Sequence, residues 1–251
     1  MNIQLGEDYE DMSRQTAEFI AAYVRRKPDA VLCFPAGDTP VGTFRRLIEL
    51  SRERQVDFSR SKWVGLDEWA GMGRLDDGSC QGFMYDNLFT PLAILEENIF
   101  FFDACAPDLA RECVRMDETV SRLGGIDLMF VGIGMNGHIG LNEPGTNIDS
   151  YSHVVELDSV TRTVGQKYFS REIKLEQGIT LGMRHLMEAE TALLAVSGSK
   201  KAGIVRQALE GPVSEKVPGS YLQKHRNSHV FLDREAASEL DIILPGDTAV
   251  Q

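Results

Sequence analysis

The chain has 251 residues, enough for one sizeable α/β core, and its 43% hydrophobic and 25% charged content is that of a globular protein. With 26 basic against 38 acidic residues the net charge is −12, which excludes general binding to nucleic acid or anionic membrane. No apolar run nears the ~18 residues that span a bilayer, so a soluble protein, one domain over residues 1–251, is expected.

In chain order, Met12, Phe19, Ile20 and Tyr23 fall at near-helical spacing and predict a surface helix from about Tyr9 to Arg26. Ala30–Phe34 is a short apolar run that reads as a strand, followed by the loop Pro35-Ala-Gly-Asp-Thr-Pro40 and a helix from Val41 to Leu50. Thr39 and Pro40 predict an N-cap and first helical position. Trp63–Leu66 predicts a strand with Asp67 at its carboxyl end, and a helix is expected from about Cys80 to Leu88. Ile99–Phe102 predicts a further strand. Leu109, Cys113, Met116, Val120 and Leu123 mark a helix closed by Gly124-Gly125. Ile126–Ile133 is the most apolar strand and is expected at the sheet centre. Then come a helix near Leu181–Ala189, the strand Thr191–Val196, a helix over Lys200–Glu210 and a last strand at His229–Leu232.

Strands alternating with helices predict a Rossmann-like α/β fold, a parallel or mixed sheet with helices on both faces. Such sheets bind ligands beyond the carboxyl ends of their strands. Three loops there carry chemistry. Pro35–Pro40 feeds a helix N-terminus, where free N–H groups and the helix dipole favour an anion; alone it reads equally as an ordinary capped turn. Gly198-Ser-Lys-Lys201 offers a second such terminus with cations beside it. Asp67 and Glu68 pair two carboxylates after a buried strand, a pattern shared by plain caps and by acid–base groups. Gly132-Ile-Gly-Met-Asn-Gly-His-Ile-Gly-Leu-Asn-Glu-Pro-Gly145 is the richest segment. It lacks the third glycine of a dinucleotide fingerprint, and Asn-Glu-Pro breaks the helix that such a motif opens. What remains is His138 between Asn136 and Glu143, partners able to hold a neutral imidazole in one tautomer.

Cys33, Cys80, Cys105 and Cys113 form no CxxC pair, and no histidine stands at zinc-ligand spacing, so neither a disulfide framework nor a metal is expected. No secretory pattern opens the sequence, which makes a cytoplasmic setting the expectation.

Together these segments resemble the glucosamine-6-phosphate deaminase/isomerase family. The resemblance rests on Ala36-Gly-Asp-Thr-Pro40, Leu66-Asp-Glu-Trp69, the block from Gly132 to Pro144, Thr180-Leu-Gly182 and Gly198-Ser-Lys-Lys-Ala202, in order over nearly the whole chain. It implies a reaction in which an amino-hexose 6-phosphate and water give a ketohexose 6-phosphate and ammonia, with no cofactor. His138, oriented by Glu143 and Asn136, would open the sugar ring, and Asp67 would move the C2 proton to C1. The phosphate would be held by Gly37, Asp38, Thr39, Lys167 and Lys201. Asp38 departs from the family pattern. Like charges ~4 Å apart at an effective dielectric of 20 repel by about 4 kcal/mol, so its side chain is expected to point away while its N–H binds.

The nearest rival is a 6-phosphogluconolactonase-like hydrolase, which shares the fold and a similar glycine-histidine loop; Asn142-Glu143-Pro144 and Asp67-Glu68-Trp69 favour the deaminase. Trp69, Gly78-Ser-Cys80 and Leu141 resemble the branch acting on the C4 epimer, galactosamine 6-phosphate. The implied partner is a small sugar phosphate, with homo-oligomerisation left open. No effector phosphate site is expected, because Thr146–Glu156 carries no lysine or arginine and the tail Gly246–Gln251 no aromatic residue.

Overall fold

Three strands, β2 (Val31–Phe34), β6 (Leu128–Val131) and β9 (Thr191–Val196), are buried at every position in the computed structural model, which describes residues 1–241. Continuous burial of a strand requires cover on both faces, and a parallel sheet flanked by helices supplies it. Successive side chains point to opposite sides. Leu32, Phe34, Leu128 and Phe130 pack with Met12, Ile20, Phe44 and Leu47 of α1 (Tyr9–Arg26) and α2 (Val41–Arg52). Cys33, Met129, Val131 and Leu194 pack on the other face with Met116 and Val120 of α4 (Leu109–Arg122) and Val205 of α7 (Ala202–Leu209).

The central sheet has seven strands in the order β1-β10-β9-β6-β2-β3-β5, every neighbouring pair parallel. Its remaining members are β1 (Asn2–Gly6), β3 (Lys62–Gly65), β5 (Ile99–Phe100) and β10 (Ser228–Asp233). From β2 the chain builds outward through β3 and β5, then returns to build the other way through β6, β9 and β10. The loops leaving β2 and β6 therefore part company at the sheet centre and open a crevice at its carboxyl edge.

A second, antiparallel sheet stands over that edge: β4 (Asp67–Trp69), β8 (Gln177–Thr180) and β7 (His153–Glu156). Beneath it Trp69, Leu141, Leu157 and Leu175 form a separate apolar cluster. Three expectations are corrected here. A strand, β1, precedes the first helix and pairs with β10 in register Ile3 to Val230. Asp67 does not end β3; it begins β4, opposite Thr180. The cap of α2 is Pro40 and not Thr39, and no side chain of the cap residue bonds the helix start. Tyr9 does part of that work, its hydroxyl accepting the Gly42 N–H at 2.7 Å.

The segment after the glycine-rich loop holds a short helix, α5 (Ser159–Gly165), and a turn of 3-10 helix, Gln166–Tyr168, neither foreseen from the sequence. α3 (Cys80–Met84) runs on into a π-helical turn, Tyr85–Phe89, and α6 is Met183–Glu188. Among the described residues no helix is long and apolar enough to cross a membrane.

Candidate active site

A cleft of about 1310 Å³ lies at the carboxyl ends of β2, β3, β6 and β9, and Gly37, Asp38, Thr39, Asp67, His138, Lys167 and Lys201 all line it. Seven of the nine site residues expected from the sequence thus meet in one cavity. Asn136 and Glu143 stand behind the imidazole and off the cleft wall.

Asp67 and Glu68, adjacent in sequence, are separated in role by the pleat of β4, which turns them to opposite sides. Glu68 is spent on structure: it accepts the backbone N–H groups of Trp69 (2.9 Å), Cys80 (2.9 Å) and Gln81 (2.8 Å) and so fastens the start of α3 to β4. Burial pushes its carboxyl upward against those bonds. Among the described residues Asp67 accepts no backbone N–H, and it is 8% exposed. Burial, reinforced by the neighbouring Glu68 charge and only partly opposed by the Cys80 thiol, raises Asp67 to about 7. A carboxyl at that value exchanges a proton near neutrality, as acid–base work requires.

His138 is set by its loop. Gly134 donates its N–H to the His138 carbonyl at 2.9 Å, and its α-carbon lies flat against the ring; a Cβ there would come within 2.2 Å of the imidazole. Glycine is needed at 134 for this contact. Glu143 Oε2 lies 3.4 Å from His138 Nδ1 and accepts from Asn136 Nδ2 at 2.9 Å, while Oε1 accepts the Asp158 N–H at 3.1 Å. Burial alone would raise the Glu143 carboxyl, but His138, Thr161 and Asn136 together hold it below its ordinary value. The Asn136 side chain bonds the carboxylate and, through Oδ1, the His138 backbone N–H at 3.2 Å. It orients Glu143, and through it the ring, without touching the ring nitrogens. Asn142 ties the loop down, donating to the Ile139 and Leu181 carbonyls at 2.9 and 2.8 Å.

At the cationic end, Lys201 Nζ donates to the Ile133 carbonyl at 2.6 Å, and burial, with the like charge of Lys167, lowers its ammonium to about 8. The Asp38 side chain binds Lys167 at 2.5 Å, a pairing not foreseen from the sequence. The second helix start is also partly filled, since Asp233 accepts the Gly198 N–H at 3.0 Å and Glu235 that of Ser199 at 3.2 Å. That leaves the Pro35–Pro40 loop as the better anion cradle.

Sequence reasoning missed Thr161, whose Oγ1 is 3.1 Å from His138 Nδ1, and Tyr168, whose hydroxyl would stand 3.0 Å from a Cβ at Gly37. No spacing signal marks either, because both reach the cleft through tertiary packing of α5 and its following turn. Trp69, Gly78, Cys80 and Leu141 line one stretch of the cleft, with the Trp69 indole N–H donating to the Gly78 carbonyl at 3.2 Å. Beside Thr146–Glu156 a cation does occur, Arg184, but Asp149 (2.9 Å) and Glu188 (2.6 Å) both hold it; the tail Gly246–Gln251 lies outside the described residues. Among the described residues no three His, Cys, Asp or Glu side chains converge to hold a metal ion.

An open parallel sheet split at its centre, with acid–base groups and lysines facing one crevice, defines an α/β protein whose ligand site suits proton-transfer chemistry on an anionic ligand. The chain belongs to the family described as glucosamine-6-phosphate isomerases/6-phosphogluconolactonase, whose model matches residues 7–231. It is 38% identical over 239 residues to the glucosamine-6-phosphate deaminase of Bacillus pumilus (strain SAFR-032), covering 95% of this chain and 99% of that one. To the deaminase of Clostridium botulinum (strain Loch Maree / Type A3) it is 35% identical over 243 residues, 96% and 100% of the two chains. A solved structure described as a monomeric glucosamine-6-phosphate deaminase superposes with a TM-score of 0.93 at 38% identity, covering 96% of this chain and 100% of that one. A 6-phosphogluconolactonase from Trypanosoma brucei shares the fold, with a TM-score of 0.73 at 17% identity over 95% and 98% of the chains.

Proposed function

We propose that this protein is an amino-sugar phosphate deaminase/isomerase, converting glucosamine 6-phosphate and water to fructose 6-phosphate and ammonia in amino-sugar catabolism. The observation that carries the reading is Asp67, a buried carboxyl held at about 7 in the same cleft as His138. Family membership and the deaminase relatives support it over lactone hydrolysis, for which the likeness is one of fold.

The reaction needs two proton movements. His138, with Nδ1 directed at Glu143, presents its other ring nitrogen for moving the anomeric hydroxyl proton to the ring oxygen, which opens the hexose to its aldehyde. Ionised Asp67 then takes the proton from C2, giving an enolamine, and returns it to C1. The product is the 2-imine of a ketose; water adds to it and ammonia leaves. A carboxylate reaching two adjacent carbons suffices, and a positioned proton-transfer group typically contributes ~10²–10⁴-fold. Asn136 and Glu143 act behind His138. The phosphate sits on the N–H groups of Gly37, Asp38 and Thr39 at the α2 terminus, with Lys201 and Lys167 supplying charge. All of these groups come from one chain, so the cleft does not require a second copy.

Four free thiols, Cys33, Cys80, Cys105 and Cys113, suit a reducing, cytoplasmic setting. Purified protein given glucosamine 6-phosphate should release ammonia and fructose 6-phosphate in equal amounts. Galactosamine 6-phosphate, tried in parallel, settles the C4 preference. Hydrolysis of 6-phosphogluconolactone without ammonia release from either amino sugar would overturn the reading.

A further inference from the structure

Thr161 sits in the first turn of α5, 4% exposed, with Oγ1 3.1 Å from Nδ1 of His138. Glu143 Oε2 lies 3.4 Å from the same nitrogen. A ring nitrogen carries either one proton or one lone pair, and this limits how three groups can bond together. If Nδ1 were bare, its lone pair would face a carboxylate oxygen, an acceptor against an acceptor in a buried place. If Nδ1 carries the proton, it donates to Thr161 Oγ1, with the carboxylate close behind. The threonine hydroxyl proton is then left to donate onward to Glu143, whose carboxyl Thr161 helps hold below its ordinary value. Only the second arrangement satisfies every group.

The same helix start is gripped twice by the pair, since the Asp158 N–H also donates to Glu143 Oε1 at 3.1 Å. Beyond it the segment continues to Lys167, paired with Asp38, and to Tyr168, against Gly37. One short segment thus spans from the imidazole to the phosphate loop.

We propose that Thr161 is a positioning residue for His138: its hydroxyl bridges Nδ1–H to Glu143, fixing the tautomer that leaves Nε2 bare toward the sugar. The inference deepens the reading of His138 as the ring-opening group and rests on it for its consequence in turnover. Thr161→Val keeps the side-chain shape and removes the hydroxyl; Thr161→Ser keeps the hydroxyl and removes a methyl. Losing one hydrogen bond to a reacting group is worth roughly tenfold in rate. Thr161→Val is expected to lower kcat on glucosamine 6-phosphate by about that factor with KM little changed, and Thr161→Ser to restore most of it. A residue that merely packs would give the reverse order, the valine active and the serine impaired.

A second measurement does not depend on turnover. Nitrogen-15 spectra of histidine-labelled protein, with the His138 signal assigned by its loss in His138→Gln, report the tautomer directly. The wild-type and serine proteins should show the proton on Nδ1, and the valine protein a mixture. An Nε2–H tautomer in the wild type, or a valine variant unchanged in both spectrum and kcat, overturns the proposal. If no ammonia is released by any variant while the spectra follow the expected order, the deaminase reading falls and the positioning of His138 by Thr161 stands.

Discussion

Lys167 and Asp38, 129 residues apart in sequence, meet in a 2.5 Å ion pair over the phosphate loop. A substrate phosphate entering there competes with the Asp38 carboxylate for the lysine. Asp38 is 71% exposed, so the pair is screened and each partner exchangeable. Asp38→Asn should therefore lower KM for the sugar phosphate, by up to about fivefold, the scale of an exposed ion pair. Lys167→Ala should raise it. Initial rates over a substrate series give both numbers, and a KM unmoved in both variants would take the pair out of phosphate binding.

Two groups in the cleft titrate close to neutrality from opposite directions. Asp67, raised to about 7 by burial and Glu68, is competent as a base only once ionised, so activity falls as pH drops through 7. Lys201, lowered to about 8 by burial and Lys167, loses its charge as pH rises through that value, and phosphate affinity falls with it. The profile of kcat/KM, which reports the free enzyme, should be a narrow bell between these limbs. Lys201→Ala should raise KM and abolish the alkaline limb. An alkaline limb that survives in the variant assigns that limb to another group.

Asp67→Asn should remove turnover while leaving a folded, sugar-phosphate-binding protein, because the amide fills the same space and cannot accept the C2 proton. The same change bears on stability. A carboxyl raised above its unfolded value of about 3.9 is preferred protonated in the fold, so its ionisation opposes folding above pH 4 and most fully above pH 7. Moving from 3.8 to about 7 corresponds to at most about 4 kcal/mol at 1.36 kcal/mol per unit. The asparagine protein should melt higher than wild type at pH 8, with the gap closing as pH falls toward 4. Equal melting temperatures at pH 8 would show that the carboxylate is solvated.

Gly134→Ala places a methyl group 2.2–2.5 Å from the His138 ring atoms, closer than any real contact. Either the ring or the loop must move, and displacement of a reacting group by about 1 Å costs on the order of a hundredfold in rate. Gly203→Ala, in α7, where among the described residues a Cβ would meet the Glu239 carboxylate at an ordinary 3.6 Å, serves as a control that should fold and turn over normally. Comparable kcat in the two variants would mean that Gly134 does not seat His138.

Much was legible in the sequence because it depends on neighbours along the chain. Burial on both faces of a parallel sheet demands unbroken apolar runs such as Val31–Phe34 and Thr191–Val196, and these stand out without any partner. The block from Gly132 to Pro144 likewise carries its histidine, amide and carboxylate on one local turn. Short elements that owe their existence to distant partners were not legible. β1, β7 and β8 lack the apolar density of the core strands, and the register Asp67 to Thr180 joins residues more than a hundred positions apart. Tertiary structure gave the physical reason that divides Asp67, already singled out by the resemblance, from Glu68: the three backbone N–H groups at 69, 80 and 81 consume Glu68 as a cap. It alone brought Thr161 to His138 and Asp38 to Lys167. Hydrogen bonds and ion pairs act over about 3 Å in space, and sequence separation has no bearing on that distance once the chain has folded back on itself.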